Sequence, residues 1–457
     1  MNDIKLPVAI IGAGPVGLAA AAQLVMRGEP FVLFEAGEEV GSNVRNWAHV
    51  RMFSSWEYNI DKAAKQLLIS HGWQAPNPLE IPSGQEMVDK YFKPFVELPE
   101  IKPYLNLNTK VIAVSRKGLS KVKTQGREVL PFVLHVEING ERILIEAKAV
   151  IDASGTWLNP NPIISEGVWT TEEQSLNKQI YYGIPDISGK HKERYSGKKV
   201  LVVGSGHSAI NTLLELGNLK DQVQSTEIIW ILRKSRLADV YGGQEQDQLP
   251  ARGELGTRIQ KLVDSGKVKV LTPFHIQELK QKEDKMVVIG SLNGSLVHLD
   301  AVDEIVSNTG SRPDLSFLRE VRVIADPTLE SVLALVPLID PNIHSCGTVR
   351  PHGEKELRQP EKNFYIVGSK SYGRAPTFLM ATGYEQVRSV VAALVGDQAA
   401  AERVELELPE TGVCGIGSKE CCGPEDSQKL VSKTEEISAC CSPVTKPEAV
   451  VKSSCCG

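Results

Sequence analysis

The sequence predicts an α/β fold with two Rossmann-like domains, one inserted into the other, followed by a disordered Cys-rich C-terminal tail. Two glycine-rich turns about 190 residues apart carry this prediction: Gly12-Ala13-Gly14-Pro15-Val16-Gly17 and Gly204-Ser205-Gly206-His207-Ser208-Ala209. Each turn follows a short apolar run typical of a buried parallel strand and precedes an alanine- or leucine-rich helix. Two such units in one chain indicate a protein that holds two dinucleotides.

The chemistry of each turn supports a pyrophosphate site. The helix behind the turn offers unpaired N–H groups and the positive end of its dipole. Glycine is required because a Cβ would block the tight turn, the approach of the phosphates or the contact between helix and strand. The predicted contacts are Gly12, Gly14, Pro15 and Gly17 for the first dinucleotide, and Gly204, Gly206, His207, Ser208 and Ala209 for the second. For His207, a simple solvent contact is the alternative.

The residue that follows the second strand of each strand–turn–helix–strand unit indicates which dinucleotide that unit binds. The strand Phe31-Val32-Leu33-Phe34 ends at Glu35, whose carboxylate can accept hydrogen bonds from both ribose hydroxyls of FAD or NAD. The strand Ile228 to Leu232 instead runs into Arg233 and Lys234, and such a cationic pair favours a 2′-phosphate. FAD and NADPH are therefore the predicted cofactors. The alternative for Arg233 and Lys234 is a solvated basic strand end.

Composition and charge are those of a soluble enzyme. The chain has 457 residues, enough for two or three domains, and a net charge of -5 gives no electrostatic case for nucleic acid binding. The segment from Pro7 to Met26 has no charged residue, but three glycines and Pro15 interrupt it, so a strand, a turn and a helix explain it better than a membrane span or a signal peptide. We expect a cytoplasmic protein that acts on a small-molecule substrate without a membrane or nucleic acid partner.

Cysteines concentrate at the C-terminus. Seven of the eight lie beyond residue 410, mostly as adjacent pairs, and the body of the protein keeps only Cys346. No Cys-x-x-Cys lies near the predicted flavin site, and the body has no disulfide framework, as expected in a reducing compartment. Thiolates favour soft ions such as Cu(I), Zn(II) or trivalent arsenic. The predicted thiophilic ligands are Cys421, Cys422, Cys440, Cys441, Cys455 and Cys456; inert or regulatory thiols are the alternative.

The order of patterns along the chain predicts the domain boundaries. Helical patterns occur at Asp61 to His71 and Gly84 to Val96, and strands resume between Val111 and Val150. Buried strands ending in small-residue turns predict further cofactor contacts at Ser154, Gly155, Gly310, Gly368 and Ser369. We expect a discontinuous FAD-binding domain at 1–169 and 306–400, an NAD(P)H-binding domain at 170–305, and a flexible tail at 401–457, which is rich in Glu, Lys, Ser, Pro and Gly.

Taken together, these motifs resemble the two-dinucleotide-binding-domain flavoproteins over residues 5 to 397. The segment Arg194 to Val200 and the lack of redox cysteines resemble the flavin-containing monooxygenase branch. The segment Asn43 to Ser54, together with the Cys-Cys tail, is similar to flavoproteins associated with arsenic-resistance operons. This resemblance implies roles for Arg45, Trp47 and Arg51 on the flavin side of the site; the alternative is ordinary loop packing for Trp47 and solvation for the two arginines.

The sequence departs from the family pattern at three places, and each departure weakens the case that this chain shares the monooxygenase mechanism. The sequence has Tyr182-Gly183-Ile184-Pro185-Asp186 where the monooxygenase fingerprint has an aromatic residue, a glycine and a histidine, although His191 is close. Ser369 stands where disulfide-reductase relatives have an aspartate, and His207 stands where an asparagine is common.

The resemblance implies that NADPH passes a hydride to the flavin, and that a flavin C4a-hydroperoxide then oxygenates a soft nucleophile such as sulfur, nitrogen or trivalent arsenic. Two alternatives stay open. One is an NADPH-dependent flavoprotein reductase with a tail pair such as Cys455-Cys456 as mobile electron acceptor. The other is a thiophilic metal- or metalloid-binding protein on a flavoprotein scaffold.

Overall fold

The computed structural model describes residues 5–242, 244–246, 250–343 and 349–406, all of which belong to one compact unit. All eight cysteines lie outside the described residues, and so do the predicted thiophilic ligands Cys421, Cys422, Cys440, Cys441, Cys455 and Cys456.

The described strands form two parallel and two antiparallel sheets. In chain order they are β1 (Val8–Ile11), β2 (Phe31–Phe34), β3 (Leu105–Asn106), β4 (Thr109–Arg116), β5 (Phe132–Ile138), β6 (Glu141–Ala147), β7 (Ala149–Asp152), β8 (Ile180–Tyr182), β9 (Lys199–Val203), β10 (Glu227–Ile231), β11 (Val268–Leu271), β12 (Phe274–Lys282), β13 (Lys285–Leu292), β14 (Ser295–His298), β15 (Glu304–Ser307) and β16 (Phe364–Ile366).

Four of the described helices, α1, α9, α10 and α13, are long, and the others are short. In chain order the helices are α1 (Pro15–Met26), α2 (Ser42–Arg45), α3 (Trp56–Asn59), α4 (Lys62–Ser70), α5 (Gly84–Met87), α6 (Lys93–Val96), α7 (Thr171–Ser175), α8 (Lys192–Tyr195), α9 (His207–Gln222), α10 (Pro250–Asp264), α11 (Val336–Ile339), α12 (Glu354–Leu357), α13 (Met380–Leu394) and α14 (Gln398–Glu402). A π-helical turn over Val88–Phe92 joins α5 to α6, so the predicted helical segment from Gly84 to Val96 is confirmed.

The first sheet has the order β16-β7-β1-β2-β3 and the second has the order β11-β10-β9-β15-β8. Every pairing within these two sheets is parallel. Because β7 precedes the second sheet in sequence and β16 follows it, the second sheet is inserted between strands of the first. This arrangement confirms the predicted fold class.

Apolar alternation explains how the second sheet is covered on both faces. Val200 and Val202 of β9 pack into one hydrophobic cluster with α9, whereas Leu201 and Val203 pack into another with β12 and β13. A parallel sheet needs this double cover, since crossover connections place further elements on each face.

The two antiparallel sheets, β4-β5-β6 and β12-β13-β14, are meanders with short turns. Asn139-Gly140 joins β5 to β6 and Asn293-Gly294 joins β13 to β14, and all four residues have positive φ. Asn-Gly favours this left-handed two-residue turn, which matches the twist of the flanking strands. The strands predicted between Val111 and Val150 are therefore confirmed.

The C-terminal part of the described chain differs from the prediction of a tail that begins at residue 401. Asp397 caps α14 by accepting a hydrogen bond from Ala400, and Ala400 and Ala401 are buried against α13. Arg388 of α13 also donates to the carbonyls of Ala400 and Arg403. Small alanines allow this close helix contact, so residues 401–406 belong to the folded unit.

The uncharged segment from Pro7 to Met26 forms β1, the first glycine turn and α1, as the sequence predicts. Among the described residues, the structure contains no helix with the length and apolar character needed to cross a bilayer.

Candidate functional site

The first glycine of each turn adopts a left-handed conformation against a neighbouring strand end. Gly12 has φ +99°, and a Cβ there would lie 2.8 Å from the carbonyl oxygen of Ala153. Gly204 has φ +133°, and a Cβ there would overlap the carbonyl oxygen of Asn308. Both positions therefore require glycine for two independent reasons, conformation and space.

The second glycine of each turn faces open space. A Cβ on Gly14 or on Gly206 would meet no atom within 4 Å. Each of these glycines is the N-cap of the following helix, with extended φ and ψ and no side-chain cap. No side chain therefore caps α1 or α9, and the absent Cβ keeps the path of an anionic ligand to each helix N-terminus clear.

The third position differs between the turns. At Gly17, a Cβ would overlap the carbonyl oxygen of Gly12, so α1 packs directly on its own turn. Ala209 takes the equivalent place in α9 and is fully buried. Pro15, at the start of α1, occupies a position where its missing N–H removes no helical hydrogen bond.

Glu35 lies directly after β2, beside the first turn. Its carboxylate oxygens accept hydrogen bonds from the backbone N–H groups of Ala13 and Gly37, each at 2.9 Å. These bonds hold the carboxylate at the edge of the turn, and each oxygen keeps a lone pair for a ribose hydroxyl.

The second unit has basic side chains in the corresponding place. Arg233 donates to the carbonyl of Ser165 at 3.2 Å, and Lys234 donates to the carbonyl of Asp239 at 2.9 Å. Arg236, which the sequence reasoning did not single out, lies near them and pairs with Asp239 at 2.8 Å. The structure thus brings Arg233 and Lys234 to the strand end beyond β10, where Arg233 is exposed and Lys234 is half-buried.

Four further predicted residues lie just after the ends of β7 and β16, on the side of β1 that is opposite to β2. Ser154 donates to Asp152 at 2.6 Å, and a Cβ on Gly155 would lie 3.7 Å from the hydroxyl of Ser369. A Cβ on Gly368 would lie 3.3 Å from Val16 at the start of α1. Ser154, Gly155, Gly368 and Ser369 therefore lie together beside the first glycine turn.

A dinucleotide on a parallel sheet crosses the carboxyl ends of the strands at the point where strand order reverses. Glu35 lies next to β2 and Arg233 next to β10, on one side of each sheet. If these two residues bind the adenosines as the sequence predicts, the reactive half of each dinucleotide would lie on the opposite side, next to β7 and β15. We call that opposite side the reactive side of each sheet.

Two chain segments connect these reactive sides, and we name 156–161 and 309–313 together the crossover pair. An antiparallel bridge joins Pro160 to Ser311, and Asn161 donates its backbone N–H to the carbonyl of Gly310 at 2.9 Å. Ser311 donates to the hydroxyl of Thr156 at 2.9 Å, and Arg312 donates to the amide oxygen of Asn161 at 2.9 Å. The predicted cofactor residue Gly310 is thus part of the connection between the first and the second parallel sheet.

Aromatic rings occupy the junction beside the crossover pair. The rings of Trp47 and Trp157 lie 6.4 Å apart, and a Cβ on Gly183 would lie 3.1 Å from Trp157. Asn308 donates to the carbonyl of Gly183 at 2.7 Å. Because Asn308 also borders Gly204, a continuous set of contacts runs from Trp47, in the loop after α2, to the second glycine turn.

Phe53 makes a second contact across the junction. Its ring lies 5.3 Å from that of His207, the first residue of α9. In the same loop, burial lowers the pKa of His49, whose Nε2 is buried without a hydrogen-bond partner among the described residues. His191 accepts a hydrogen bond from the backbone of Asp186 at 3.1 Å. The junction is therefore lined by aromatic rings and a neutral imidazole.

The two arginines predicted on the flavin side have other partners. Arg45 forms ion pairs with Glu39 and Asp89, each at 3.1 Å. Arg51 is exposed and donates to the carbonyl of Ile81 at 2.9 Å. The structure thus brings Trp47 to the junction, whereas the guanidinium groups of Arg45 and Arg51 are engaged by neighbouring loops.

Sequence reasoning missed Phe53, Trp157, Asn308 and Lys370 as site residues. For Trp157 and Asn308 a signal was present, because each lies in or next to a small-residue turn at a strand end. Lys370 follows the predicted pair Gly368 and Ser369, but its partner Asp152 is 218 residues away in sequence. Among the described residues no cluster of His, Cys, Asp and Glu is arranged to hold a metal ion.

The residues present fit two dinucleotides. Both cradles combine an uncapped helix N-terminus with a glycine whose missing side chain leaves open space. The first cradle has a carboxylate for ribose hydroxyls, and the second has an exposed guanidinium for a 2′-phosphate.

Residues 9–335 match the family described as pyridine nucleotide-disulphide oxidoreductase, and the chain belongs to that family. It is 24% identical over 351 residues to a ferredoxin--NADP reductase of Lactobacillus johnsonii, which covers 75% of this chain and 86% of the relative. It is 27% identical over 210 residues to the indole-3-pyruvate monooxygenase YUCCA1 of Oryza sativa subsp. japonica. That match covers 45% of this chain and 44% of the monooxygenase, so it spans less than half of either protein.

A solved structure with the same fold is DfoA bound to FAD, the cadaverine monooxygenase from Erwinia amylovora. The TM-score is 0.61 at 12% identity, and the likeness covers 91% of this chain and 100% of that chain. The chain is therefore an oxidoreductase by family, and FAD and NADP(H), the cofactors predicted from its sequence, are those of the flavoproteins it resembles.

Proposed function

We propose that this oxidoreductase is an NADPH-dependent flavin monooxygenase that oxygenates a soft nucleophile, with sulfur, nitrogen or trivalent arsenic as the reacting atom. FAD binds in the first cradle, at Gly12, Gly14, Gly17 and Glu35. NADPH binds in the second cradle, at Gly204, Gly206, Ala209 and Arg233. In the reaction NADPH supplies two electrons, one oxygen atom of O₂ enters the substrate, and the other leaves as water.

The observation that supports this proposal most is the aromatic junction between the two reactive sides. Trp47 and Trp157 lie 6.4 Å apart, and Phe53 lies 5.3 Å from His207, so the proposal puts these three rings beside the place where the two dinucleotides would meet. Apolar rings at this place exclude water, and oxygen-transfer chemistry needs exclusion of water to compete with loss of peroxide. The sequence has no Cys-x-x-Cys near the first glycine turn, which is where the redox pair of a disulfide-reducing cycle would be expected.

In this proposal the residues of the chain bind and orient the two dinucleotides, while the redox chemistry belongs to the flavin. Bound FAD would supply the route for electrons from NADPH to dioxygen. The N-terminal amides of α1 and α9 hold the two pyrophosphates, Glu35 orients the ribose of FAD, and Arg233 selects NADPH through its 2′-phosphate. Neutral His49 lies at the junction without adding a charge there.

The domain ranges belong to the same proposal. FAD is held by residues 1–169 and 306–400, NADPH by 170–305, and the cysteine-rich tail from 401 serves delivery of a thiophilic ion or substrate. Residues 401–406 of that last range are packed against α13, so the proposal assigns delivery to the cysteine-bearing part beyond them. A trivalent arsenical fits both the tail thiols and the oxygenation chemistry.

A reductase is the second candidate function. The match to a ferredoxin--NADP reductase covers 75% of this chain, more than the monooxygenase match does, and this favours electron transfer to an external acceptor or to a tail pair such as Cys455-Cys456. A thiophilic metal- or metalloid-binding protein on a flavoprotein scaffold is the third, and it depends on the tail cysteines alone.

The first experiment is stopped-flow absorbance of the flavin-loaded protein, reduced anaerobically with NADPH and then mixed with oxygen. A near-ultraviolet absorbing species that forms before oxidised flavin returns supports the monooxygenase. Direct return to oxidised flavin without that species contradicts it and favours the second or third function.

A variant that ends at Leu406 separates the alternatives further. Under the monooxygenase proposal, NADPH-dependent oxygen consumption survives this truncation. Under the reductase alternative, reduction of a disulfide substrate is lost, and under the binding alternative, stoichiometric binding of arsenite disappears. The full-length chain with all six paired cysteines changed to serine is the matched control, because it keeps the length of the tail.

A further inference from the structure

We propose that Lys370 is a positioning residue that clamps the turns around the flavin-binding cradle by a buried ion pair with Asp152. The inference depends on the proposed function only in placing FAD at the first glycine turn. It assigns a role to a residue pair that lies outside the glycine motifs.

The ion pair is short and excluded from water. The Nζ atom of Lys370 lies 2.7 Å from a carboxylate oxygen of Asp152, and the two side chains are 1% and 0% exposed. Asp152 is the last residue of β7, and Lys370 lies shortly after the end of β16, which pairs with β7. The pair therefore ties together two adjacent strand ends on the reactive side of the first sheet.

Ser154 extends the pair into a network. Its hydroxyl donates to Asp152 at 2.6 Å and accepts from Lys370 at 3.0 Å, while its backbone N–H donates to Asp152 at 3.1 Å. The two turns that this network joins are also in contact, since a Cβ on Gly155 would lie 3.7 Å from the hydroxyl of Ser369. Lys370 thereby sets the spacing of the Ser154-Gly155 and Gly368-Ser369 turns.

A third segment meets the same ammonium group. Phe317 places its ring centroid 4.5 Å from the Nζ atom of Lys370, which is a favourable cation–π distance. The neighbouring Asp314 responds to the charge as well: burial raises the pKa of its carboxyl, but hydrogen bonds from Ser316 and the charge of Lys370 together lower it. Both residues closely follow the crossover pair, so Lys370 also anchors the chain where it re-enters the first unit.

Stability alone does not explain this arrangement. A buried ion pair can often be replaced by uncharged residues of similar size with little loss of stability, because desolvation offsets the Coulomb attraction. A pair that joins three turns instead specifies their relative positions. FAD binding then depends on the pair more strongly than folding does.

The test compares Asp152→Asn, Lys370→Met and the double variant that carries both changes. Each single change leaves one partner buried without its counter-charge, so we expect both to lose stability and FAD. The double variant removes both charges, and the introduced asparagine amide keeps an acceptor for Ser154. We expect its melting temperature to stay within a few degrees of wild type, whereas its FAD dissociation constant rises about tenfold or more, because the turns that would contact FAD are no longer preorganised.

Two measurements decide the outcome. The FAD dissociation constant comes from fluorescence titration of the apoprotein, and the flavin midpoint potential comes from a dye-coupled reduction. A double variant that binds FAD as wild type does, at an unchanged potential, overturns the positioning role and leaves the pair purely structural. If the double variant does not fold, Lys370→Arg takes its place. That variant keeps the charge at altered geometry, so normal folding with weakened FAD binding supports the role and wild-type binding overturns it.

A matched control comes from another buried ion pair in the same unit. Glu385 and Arg388 pair at 2.7 Å, are 5% and 9% exposed, and face α14 rather than the cradle. The double variant Glu385→Gln with Arg388→Met should leave FAD affinity unchanged, and any loss of stability should come from the hydrogen bonds that Arg388 makes to Ala400 and Arg403. Because FAD affinity is measured without NADPH or oxygen, a failure of the monooxygenase proposal leaves this readout intact.

Discussion

The two dinucleotide cradles share one backbone design but differ in what holds it. Both begin with a left-handed glycine against a neighbouring carbonyl and continue with an extended glycine that faces open space. Behind the first cradle, the ion pair of Asp152 and Lys370 is buried. Behind the second, hydrogen bonds from Asn308, Thr309 and the Arg312 guanidinium hold the neighbouring segments together.

The difference fits how long each of the two proposed ligands stays bound. A tightly tied cradle suits a cofactor that stays bound through many turnovers. A cradle without such a buried ion pair, and with an exposed guanidinium at its edge, suits a cosubstrate that must leave after each turnover. Four substitutions test this contrast, beginning with the change of largest expected effect.

Gly17→Ala should break the first cradle. Its Cβ would overlap the carbonyl oxygen of Gly12, so the free energy of unfolding should fall by about 3 kcal/mol, and FAD should be lost. Urea unfolding and flavin absorbance measure the two effects. The reciprocal change Ala209→Gly is the control and should cost only about 1 kcal/mol. Equal effects at the two positions would contradict the contrast.

Asp61→Asn should reveal a pH dependence located in the first unit. Asp61 caps α4 by accepting from Ala64, and burial raises the pKa of its carboxyl to about 6 from 3.8. Since the folded state favours the protonated acid, wild-type stability should fall as the pH rises from the ordinary pKa through 6, by up to about 3 kcal/mol.

The asparagine introduced by Asp61→Asn still caps the helix and cannot ionise, so the variant should gain on wild type as the pH rises across this window. Urea unfolding at acidic, neutral and mildly basic pH measures the difference. A difference that does not change with pH would show that Asp61 is ionised in the folded state at little cost.

Arg233→Ser should alter coenzyme choice in the second unit without affecting FAD. Loss of a charged hydrogen bond to the 2′-phosphate should raise the KM for NADPH about tenfold to a hundredfold, while the KM for NADH stays the same. Steady-state oxidation of both coenzymes measures the ratio. Arg236→Ser is the control, because Arg236 is already paired with Asp239, and an equal effect there would make the site a diffuse basic surface.

Arg45→Ala should have the smallest effect. Its ion pairs with Glu39 and Asp89 involve partly exposed carboxylates, so stability should change by less than about 1 kcal/mol, and FAD affinity should be unaltered. A large loss of FAD would show that Arg45 turns toward the flavin when the cofactor binds. Thermal unfolding and a flavin titration provide both readouts.

Local patterns in the sequence were enough to predict the two turns and the strand-end positions of Glu35 and Arg233. Each of these depends on a strand, a turn and a helix that are contiguous in sequence, and steric demands there leave few alternatives to glycine. The insertion of one sheet into the other could also be predicted, since a strand before the second glycine turn and another after it carry similar small-residue ends.

Long-range pairings could not be read in the same way. Nothing local to Lys370 identifies Asp152 as its partner, and nothing in Phe53 predicts that it reaches the ring of His207. The boundary at residue 401 was wrong because an alanine-rich segment carries little apolar area, yet it packs closely where a helix such as α13 is available. Amino-acid composition indicates how much apolar area a segment can bury, but not whether its shape lets it pack closely against a neighbouring helix.

The crossover pair has an evolutionary consequence. The chain leaves the first unit at 156–161 and returns at 309–313 beside the point of departure, with Pro160 bridged to Ser311. The two ends of the intervening segment are therefore neighbours, and a short turn from Asn161 to Gly310 would close the chain as a hairpin. Recombination at these two points could exchange one nucleotide-binding segment for another, with a different coenzyme specificity, without moving a single strand of the flavin-binding sheet.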